Sequence, residues 1–312
     1  MLRVLPMHVA ICALTFCRPD GIRCLLAGLG RLHEPSGATV EVIVVDNDEA
    51  RSAEAVVQAA AGTIRWPVQY IVEPRRGIAQ GRNRAVAAAH AAGADFVAFI
   101  DDDEVPSPAW LDELLRVQVA THAGVVTGPV VPVFQEPPPA WVVQGAFFER
   151  PRFPTGERLT YARTSNVLIE GSLMRDTATP FDERFGLSGG EDTHFFMRVR
   201  LGGAHIVWAD GAMVSELVPA TRVSVRWLVR RAYRRGNTLS LCLRDLSDSW
   251  PRRGRRVAGG ILQVALGTVR LASAVAGRAR AVAGLAQIAY GVGLVTGLVG
   301  VRYEEYRTVH GG

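Results

Sequence analysis

Four short apolar runs, each but the last followed by a segment with helical spacing, constrain the fold of this chain more than any other feature. Val9 to Leu14 precedes helical spacing from Gly21 to Leu32, and Val40 to Val45 precedes an alanine-rich helix from Ala50 to Ala61. Val68 to Val72 precedes a helix from Ala79 to Ala92, ended by Gly93, and Phe96 to Ile100 runs directly into Asp101-Asp102-Asp103-Glu104. Short strands separated by single helices predict βαβ units and a mostly parallel sheet. Ligands of such sheets bind beyond the carboxyl ends of the strands. Both acidic clusters, Asp46-Asn47-Asp48 and Asp101 to Glu104, stand at such ends.

Beyond Val125 the pattern is less regular. Val125 to Val133 reads as one further strand, Pro137-Pro138-Pro139 breaks the chain, and Phe147 to Phe153 reads as loop. Thr164 to Ile169 resembles a strand, and Thr193 to Leu201 a helix that follows Gly189-Gly190-Glu191-Asp192. The apolar segment from Val4 to Phe16 reads as a first buried strand. Pro6 and His8 interrupt it, and Cys17-Arg18-Pro19-Asp20 is a poor signal-peptide cleavage region.

The 312 residues, 48% of them hydrophobic, suffice for one large α/β domain with an appendage. All 35 basic residues are arginine, which excludes a Walker A lysine, a lysine Schiff base and a pyridoxal phosphate anchor. Phosphate must then be held by arginine, backbone N–H groups or a metal. The cysteines, Cys12, Cys17, Cys24 and Cys242, form no C-x-x-C pair and read as reduced thiols of a cytosolic protein. A dinucleotide-dependent dehydrogenase would need G-x-G-x-x-G after the first strand, where this chain has Thr15-Phe16-Cys17-Arg18-Pro19.

The last third changes character. Eleven arginines lie between Arg222 and Arg256 against Asp245 and Asp248, and Val257 to Val301 has no acidic residue. The uncharged stretch from Ala281 to Val301 is long enough to span a bilayer; its glycines allow equally for lying in the interface or packing as a helical hairpin. The arginine cluster lacks lysine and aromatic platforms and leads into an apolar tail. An anionic membrane surface therefore fits it as a partner better than nucleic acid does.

Four adjacent carboxylates repel one another and call for a cation or full solvation. Hard divalent cations such as Mg2+ take carboxylate and phosphate oxygens. Asp46 could accept a hydrogen bond from a nucleobase imide or serve turn and cap chemistry alone. Arg82 and Arg84, flanking Asn83, could hold a diphosphate or face solvent. Glu191 and Asp192 could cap a helix or supply a general base.

The runs Val44-Val45-Asp46-Asn47-Asp48, Glu73-Pro74 with Gly77-Ile78-Ala79, Arg82-Asn83, Phe99 to Glu104 and Gly189 to Asp192, in this order, resemble the family 2 glycosyltransferases of the GT-A fold. Within them, the bacterial exopolysaccharide branch that includes succinoglycan glucosyltransferases is the most similar. The resemblance covers about residues 8 to 235. It implies that Thr15, Phe16 and Asp46 hold the uridine of a UDP-sugar, with Arg82 near the uracil or diphosphate and Asp48, Asp101 and Asp102 also on the nucleotide-sugar. Asp101 and Asp103 would form the D-x-D, one near the ribose and one on Mn2+ or Mg2+, with Asp103 the favoured metal ligand. Asp192, beside Glu191, would be the base of an inverting transfer, with glucose the favoured sugar. A GT-A domain over 1–235 would precede a basic and apolar helical region over 236–312 that associates with the cytoplasmic face of the bacterial inner membrane. The acceptor would be a lipid-linked saccharide. A polyprenyl-phosphate glycosyltransferase and a non-catalytic nucleotide-sugar-binding module are the alternatives. The Gln-x-x-Arg-Trp motif of processive synthases lacks its glutamine at Arg222 to Trp227, which favours single-sugar transfer and leaves the diphosphate role of Arg231, Arg234 or Arg235 open.

Overall fold

The structure, a computed structural model, describes residues 6–246, 249–273 and 277–303. The chain begins with β1 (Met7–Thr15), α1 (Pro19–Leu29), β2 (Ala38–Asp46), α2 (Glu54–Ala61), β3 (Val68–Val72), α3 (Ile78–Ala91) and β4 (Phe96–Ile100). Next come β5 (Glu104–Pro106), α4 (Trp110–Thr121), β6 (Val125–Thr127), β7 (Val130–Phe134), α5 (Ala140–Gln144), β8 (Arg158–Leu159) and β9 (Asn166–Glu170). It ends with α6 (Glu191–Leu201), β10 (Ile206–Trp208), β11 (Val214–Val218), α7 (Val225–Leu246), α8 (Trp250–Ala272) and α9 (Arg278–Leu298). The expected N-terminal strand is β1; Val4 and Leu5 of that apolar segment, and Asp248 of the basic stretch, lie outside the described residues.

The main sheet has the order β3-β2-β1-β4-β9-β6-β10-β8. Its first four strands are parallel, as the βαβ pattern requires, and β9 enters antiparallel between β4 and β6. Alternation along β1 divides the core. Val9, Ile11 and Ala13 pack with Ile22, Leu25 and Leu29 of α1 and Trp110 and Leu114 of α4. Ala10 and Cys12 pack with Ala85, Val86 and Ala89 of α3 and with Phe181, Phe195 and Phe196. Each fully buried Leu, Ile or Phe contributes roughly 1.5–3 kcal/mol to stability. Burial also pushes the Cys12 thiol well up, which leaves it inert.

The single strand expected over Val125 to Val133 is two. β6 belongs to the main sheet, while β7 joins β11 and β5 in a second, three-stranded sheet. Gly128-Pro129 makes the break: Pro129 has no N–H for a ladder, and a Cβ on Gly128 would lie 2.3 Å from the Ala212 carbonyl. Asn166 secures the crossing. Its Nδ2 donates to the carbonyls of Pro129 (3.0 Å) and Ala212 (2.7 Å), and its Oδ1 accepts from Trp110 Nε1 (2.8 Å).

The boundary expected at 235/236 falls inside α7. α9 lies against both α7 and α8, and its glycines are the points of closest approach. A Cβ on Gly293 would meet the Tyr233 carbonyl at 2.2 Å, and one on Gly291 the Gly260 carbonyl at 2.5 Å. Small residues permit such backbone contact between helices. α9 is long and apolar enough to cross a membrane by length and composition. The large exposed apolar residues of this region lie mainly on α8, at Trp250, Ile261, Leu262, Leu266 and Val269.

Candidate active site

The acid run turns the chain from the main sheet into the second one. Glu104 is buried, and its Oε2 accepts the Asp101 N–H at 3.0 Å. Burial first, then the carboxylates of Asp101, Asp103 and Glu216, push Glu104 well above its ordinary value against the pull of Arg150. Asp102 faces β1 and α1: Thr15 Oγ1 donates to its Oδ2 (2.9 Å) and Arg18 Nη1 to its Oδ1 (3.1 Å). Burial raises Asp102 to about 7 against the pull of Arg18, with Asp103 and Asp101 adding to the rise. Asp101 faces a different cation, and Asp103 shares Arg18 with Asp102. Asp101 lies 3.6 Å from Arg82; Asp103 lies 2.9 Å from Arg222 and 3.6 Å from Arg18. Asp101 to Glu104 is a turn between β4 and β5, closed by the Glu104 N–H on the Asp101 carbonyl (3.1 Å), and it spreads the acids over three arginines.

Gly189 and Gly190 both have positive φ (71° and 100°), a conformation costly for any residue with a Cβ. A Cβ on Gly190 would also meet Thr238 of α7 at 2.1 Å. This turn delivers Glu191 and Asp192 into the first turn of α6. Glu191 points inward, is 2% exposed, and pairs through Oε1 with Arg82 Nη1, while its Oε2 has no partner. Asp192 is half-buried. Its Oδ1 accepts from the backbone N–H of Thr193 (2.6 Å) and Oδ2 is left without a protein partner among the described residues. Asp192 thus keeps an oxygen for a proton, whereas Glu191 is committed to Arg82. The Arg82-Asn83 dipeptide divides its work. Asn83 locks the backbone of Phe181 through bonds of 2.8 and 2.9 Å, and buried Arg82 bridges Glu191 to Asp101. Arg84 is exposed.

At the ends of β1 and β2, Thr15 is buried by its bond to Asp102, and the Phe16 ring lies under the Arg76 guanidinium (4.9 Å). Asp46 is fully buried. It accepts from Ala53 N–H (2.9 Å), Asp48 N–H (3.1 Å) and Tyr70 Oη (2.8 Å), so in this conformation it acts by shaping the turn. Asp48 sits at the rim. Against its partial desolvation, hydrogen bonds from Ala50 and Ser52 hold its carboxyl below the usual range. Asn47 fixes the facing loop: its Nδ2 donates to the carbonyls of Glu73 and Arg75 and its Oδ1 accepts Gly77 N–H.

The residues present fit a divalent cation. Burial raises Asp101 to about 6, and the carboxylates of Asp103, Glu216 and Asp192 add to the rise against the pull of Arg82. Hard oxygen donors thus converge where extra positive charge is favourable. Both Asp101 and Asp102 hold their protons more tightly folded than unfolded. They stabilise the cation-free fold below the unfolded value of about 4, and that stability is lost as pH rises through about 6 and about 7. Mn2+ should therefore raise the melting temperature more at pH 8 than at pH 5.5, with proton release visible by calorimetry in two buffers. An equal effect at both pH values would remove the acids from the metal site. A second group, Asp182, His194 and Asp245, brings its ligand atoms within 4.8 Å, but Arg184 already bridges both carboxylates at 2.6 and 2.8 Å.

Three residues around the acid run carry no motif in the sequence. Arg222 joins Asp103 to Glu216 (2.9 and 3.3 Å), and Arg150 pairs with the other oxygen of Glu216. Arg18 braces Asp102 from α1. Arg150 lies in the segment expected as loop, and its aromatic neighbours Phe147 and Phe148 were the available signal that this loop is packed.

The profile of Glycosyl transferase family 2 matches residues 14–179. The succinoglycan biosynthesis protein ExoM of Rhizobium meliloti (strain 1021) is 35% identical over 237 residues, covering 74% of each chain. In fold, the chain is similar to the mannosyltransferase PcManGT of Pyrobaculum calidifontis in complex with GDP-Man and Mn2+, with TM-score 0.61, 18% identity and coverage of 92% and 86%. It is also similar to S. aureus TarS 1–349 in complex with UDP, with TM-score 0.54, 17% identity and coverage of 94% and 90%. A mostly parallel sheet whose strand ends carry the acid run, joined to a matching profile and a relative of comparable length, identifies the chain as a member of glycosyl transferase family 2, with the GT-A fold.

Proposed function

We propose that this glycosyltransferase moves one sugar, glucose favoured, from a UDP-sugar to a lipid-linked saccharide acceptor, with inversion and with Mn2+ or Mg2+ at Asp101 and Asp103. The observation that carries this reading is the placement of Asp192, with an oxygen left for a proton, in the field of the Asp101 carboxylate. The nucleoside would rest against Thr15, Phe16 and Asp48 on the turn that Asp46 shapes. Arg82 and Asp102 would support it from behind, by setting Asp101 and by setting Thr15 with Arg18. The divalent cation would neutralise the departing diphosphate. Asp192 would take the acceptor hydroxyl proton as the new bond forms on the face opposite the leaving group. The relatedness to ExoM supports a role in bacterial exopolysaccharide synthesis.

A screen of UDP-sugars and GDP-mannose for hydrolysis, with Mn2+, with Mg2+ and with EDTA, tests the donor and the metal together. Turnover of a UDP-sugar lost in EDTA is the expected result. Turnover of GDP-mannose alone, or full activity in EDTA, would overturn it.

The basic and apolar helices α7 to α9 are proposed to rest on the anionic cytoplasmic face of the inner membrane through α8. The substitutions Ile261→Asp and Leu262→Asp, which put acids on the exposed apolar face of α8, are expected to abolish cosedimentation with vesicles containing phosphatidylglycerol. Unchanged sedimentation would remove α8 from that role.

A further inference from the structure

A cavity of about 200 Å³ opens between the Phe147 to Pro151 loop, the Tyr161 to Arg163 segment and α7. Four arginines line it: Arg150, Arg163, Arg231 and Arg235. Arg150 is paired with Glu216. Among the described residues no carboxylate lies within salt-bridge reach of Arg163, Arg231 or Arg235, and the one acid in the lining, Glu149, is exposed. Arg231 is held over the rings of Trp227 (5.1 Å) and Phe148 (5.9 Å), which fixes it in place without neutralising it. Burial first, then Arg150, depresses Arg231 to about 9 against the pull of Glu216, with Arg163 and Arg235 adding to the fall, so it remains charged at neutral pH. Like charges crowded into a partly dry cavity are unfavourable unless an anion joins them. A guanidinium fork matches phosphate oxygens in particular.

We propose that this cavity seats the phosphate or diphosphate group of the acceptor, a proposal that rests on the transfer reaction above. Three observations assign it to the acceptor side. Asp192, the candidate base, lies in the field of Arg163. The Arg150–Glu216–Arg222 chain separates the cavity from Asp103, where the donor's diphosphate would lie. The cavity wall includes Ala286 of α9, and less than one turn away Ala283 lines a second depression with Val269 of α8. A chain attached to the phosphate would run past Ala283 and Val269, between Arg270 and Arg280, toward the exposed face of α8. The donor's own diphosphate shares the chemistry, and the test separates the two.

Inorganic pyrophosphate is the probe, titrated into the full chain by calorimetry in EDTA, where no metal can hold it at the acid run. One binding event is expected, weakened at least tenfold in Arg163→Gln/Arg231→Gln and partly restored in Arg163→Lys/Arg231→Lys. Circular dichroism checks that each variant is folded; Arg235→Ala, at an exposed position, gives a smaller loss by the same route. Absence of binding, or binding unchanged in the double variant, overturns the site. Competition by UDP in EDTA reassigns the cavity to the donor's diphosphate and overturns the acceptor assignment. UDP binding in Mn2+ is measured separately, and its failure would sink the donor reading while leaving the pyrophosphate result to stand.

Discussion

Asp192→Asn is expected to lower sugar transfer by a factor of about 10² to 10⁴, the usual contribution of a positioned general base. The substitution keeps the size and the Oδ1 acceptor for Thr193 N–H (2.6 Å), so α6 should begin as before. What it removes is the oxygen that can take a proton. UDP binding in Mn2+, measured by calorimetry, should stay within about twofold of wild type, because a base adds transition-state stabilisation rather than donor affinity. Wild-type turnover would exclude Asp192 as the base. Glu191→Gln is the informative companion. Glu191 is buried against Arg82, so its loss should act through the position of Asp192 and through stability.

Arg82→Ala is expected to cost about 3–5 kcal/mol of stability, the penalty for leaving a buried charge without its partner. Arg82 is 4% exposed and Glu191 2%, and Glu191 Oε2 already has no hydrogen bond to fall back on. The Arg82→Met/Glu191→Gln pair removes both charges and should recover most of that loss in urea unfolding. Activity should not recover with it, because Arg82 also faces Asp101 at 3.6 Å. If the single variant unfolds at the wild-type urea concentration, Arg82 is not the brace of this site.

The parallel half of the fold was legible because its cause is local. Phe96 to Ile100 is all apolar, and a strand buried on both faces must be. The single strand over Val125 to Val133 failed at a signal that was present, Gly128-Pro129. At the site, Asp101 and Asp103 stood out because they close a strand, but Asp102 and Glu191 could not be told from their neighbours by type. Adjacent helix residues differ by about 100° in direction, and packing alone turned Glu191 inward and left Asp192 at the cleft. Arg222, Glu216 and Arg150 meet only because β11 lies between β5 and β7, a long-range pairing that no local pattern encodes.

The glycine contacts that seat α9 against α7 and α8 bear on how the protein could be re-engineered. Arg302, just beyond α9, donates to the Arg184 carbonyl at 2.7 Å, and Asn237 of α7 donates to the Val301 carbonyl at 2.9 Å. The C-terminal helices are therefore joined to the segment that leads into the Gly189-Gly190 turn, and Ala286 lines the arginine cavity. They are packed into the fold by these contacts. Deleting them would uncover α7. If the arginine cavity seats the acceptor and α8 meets the membrane, as proposed, a chimera made at the α7–α8 junction should change what is glycosylated as well as where.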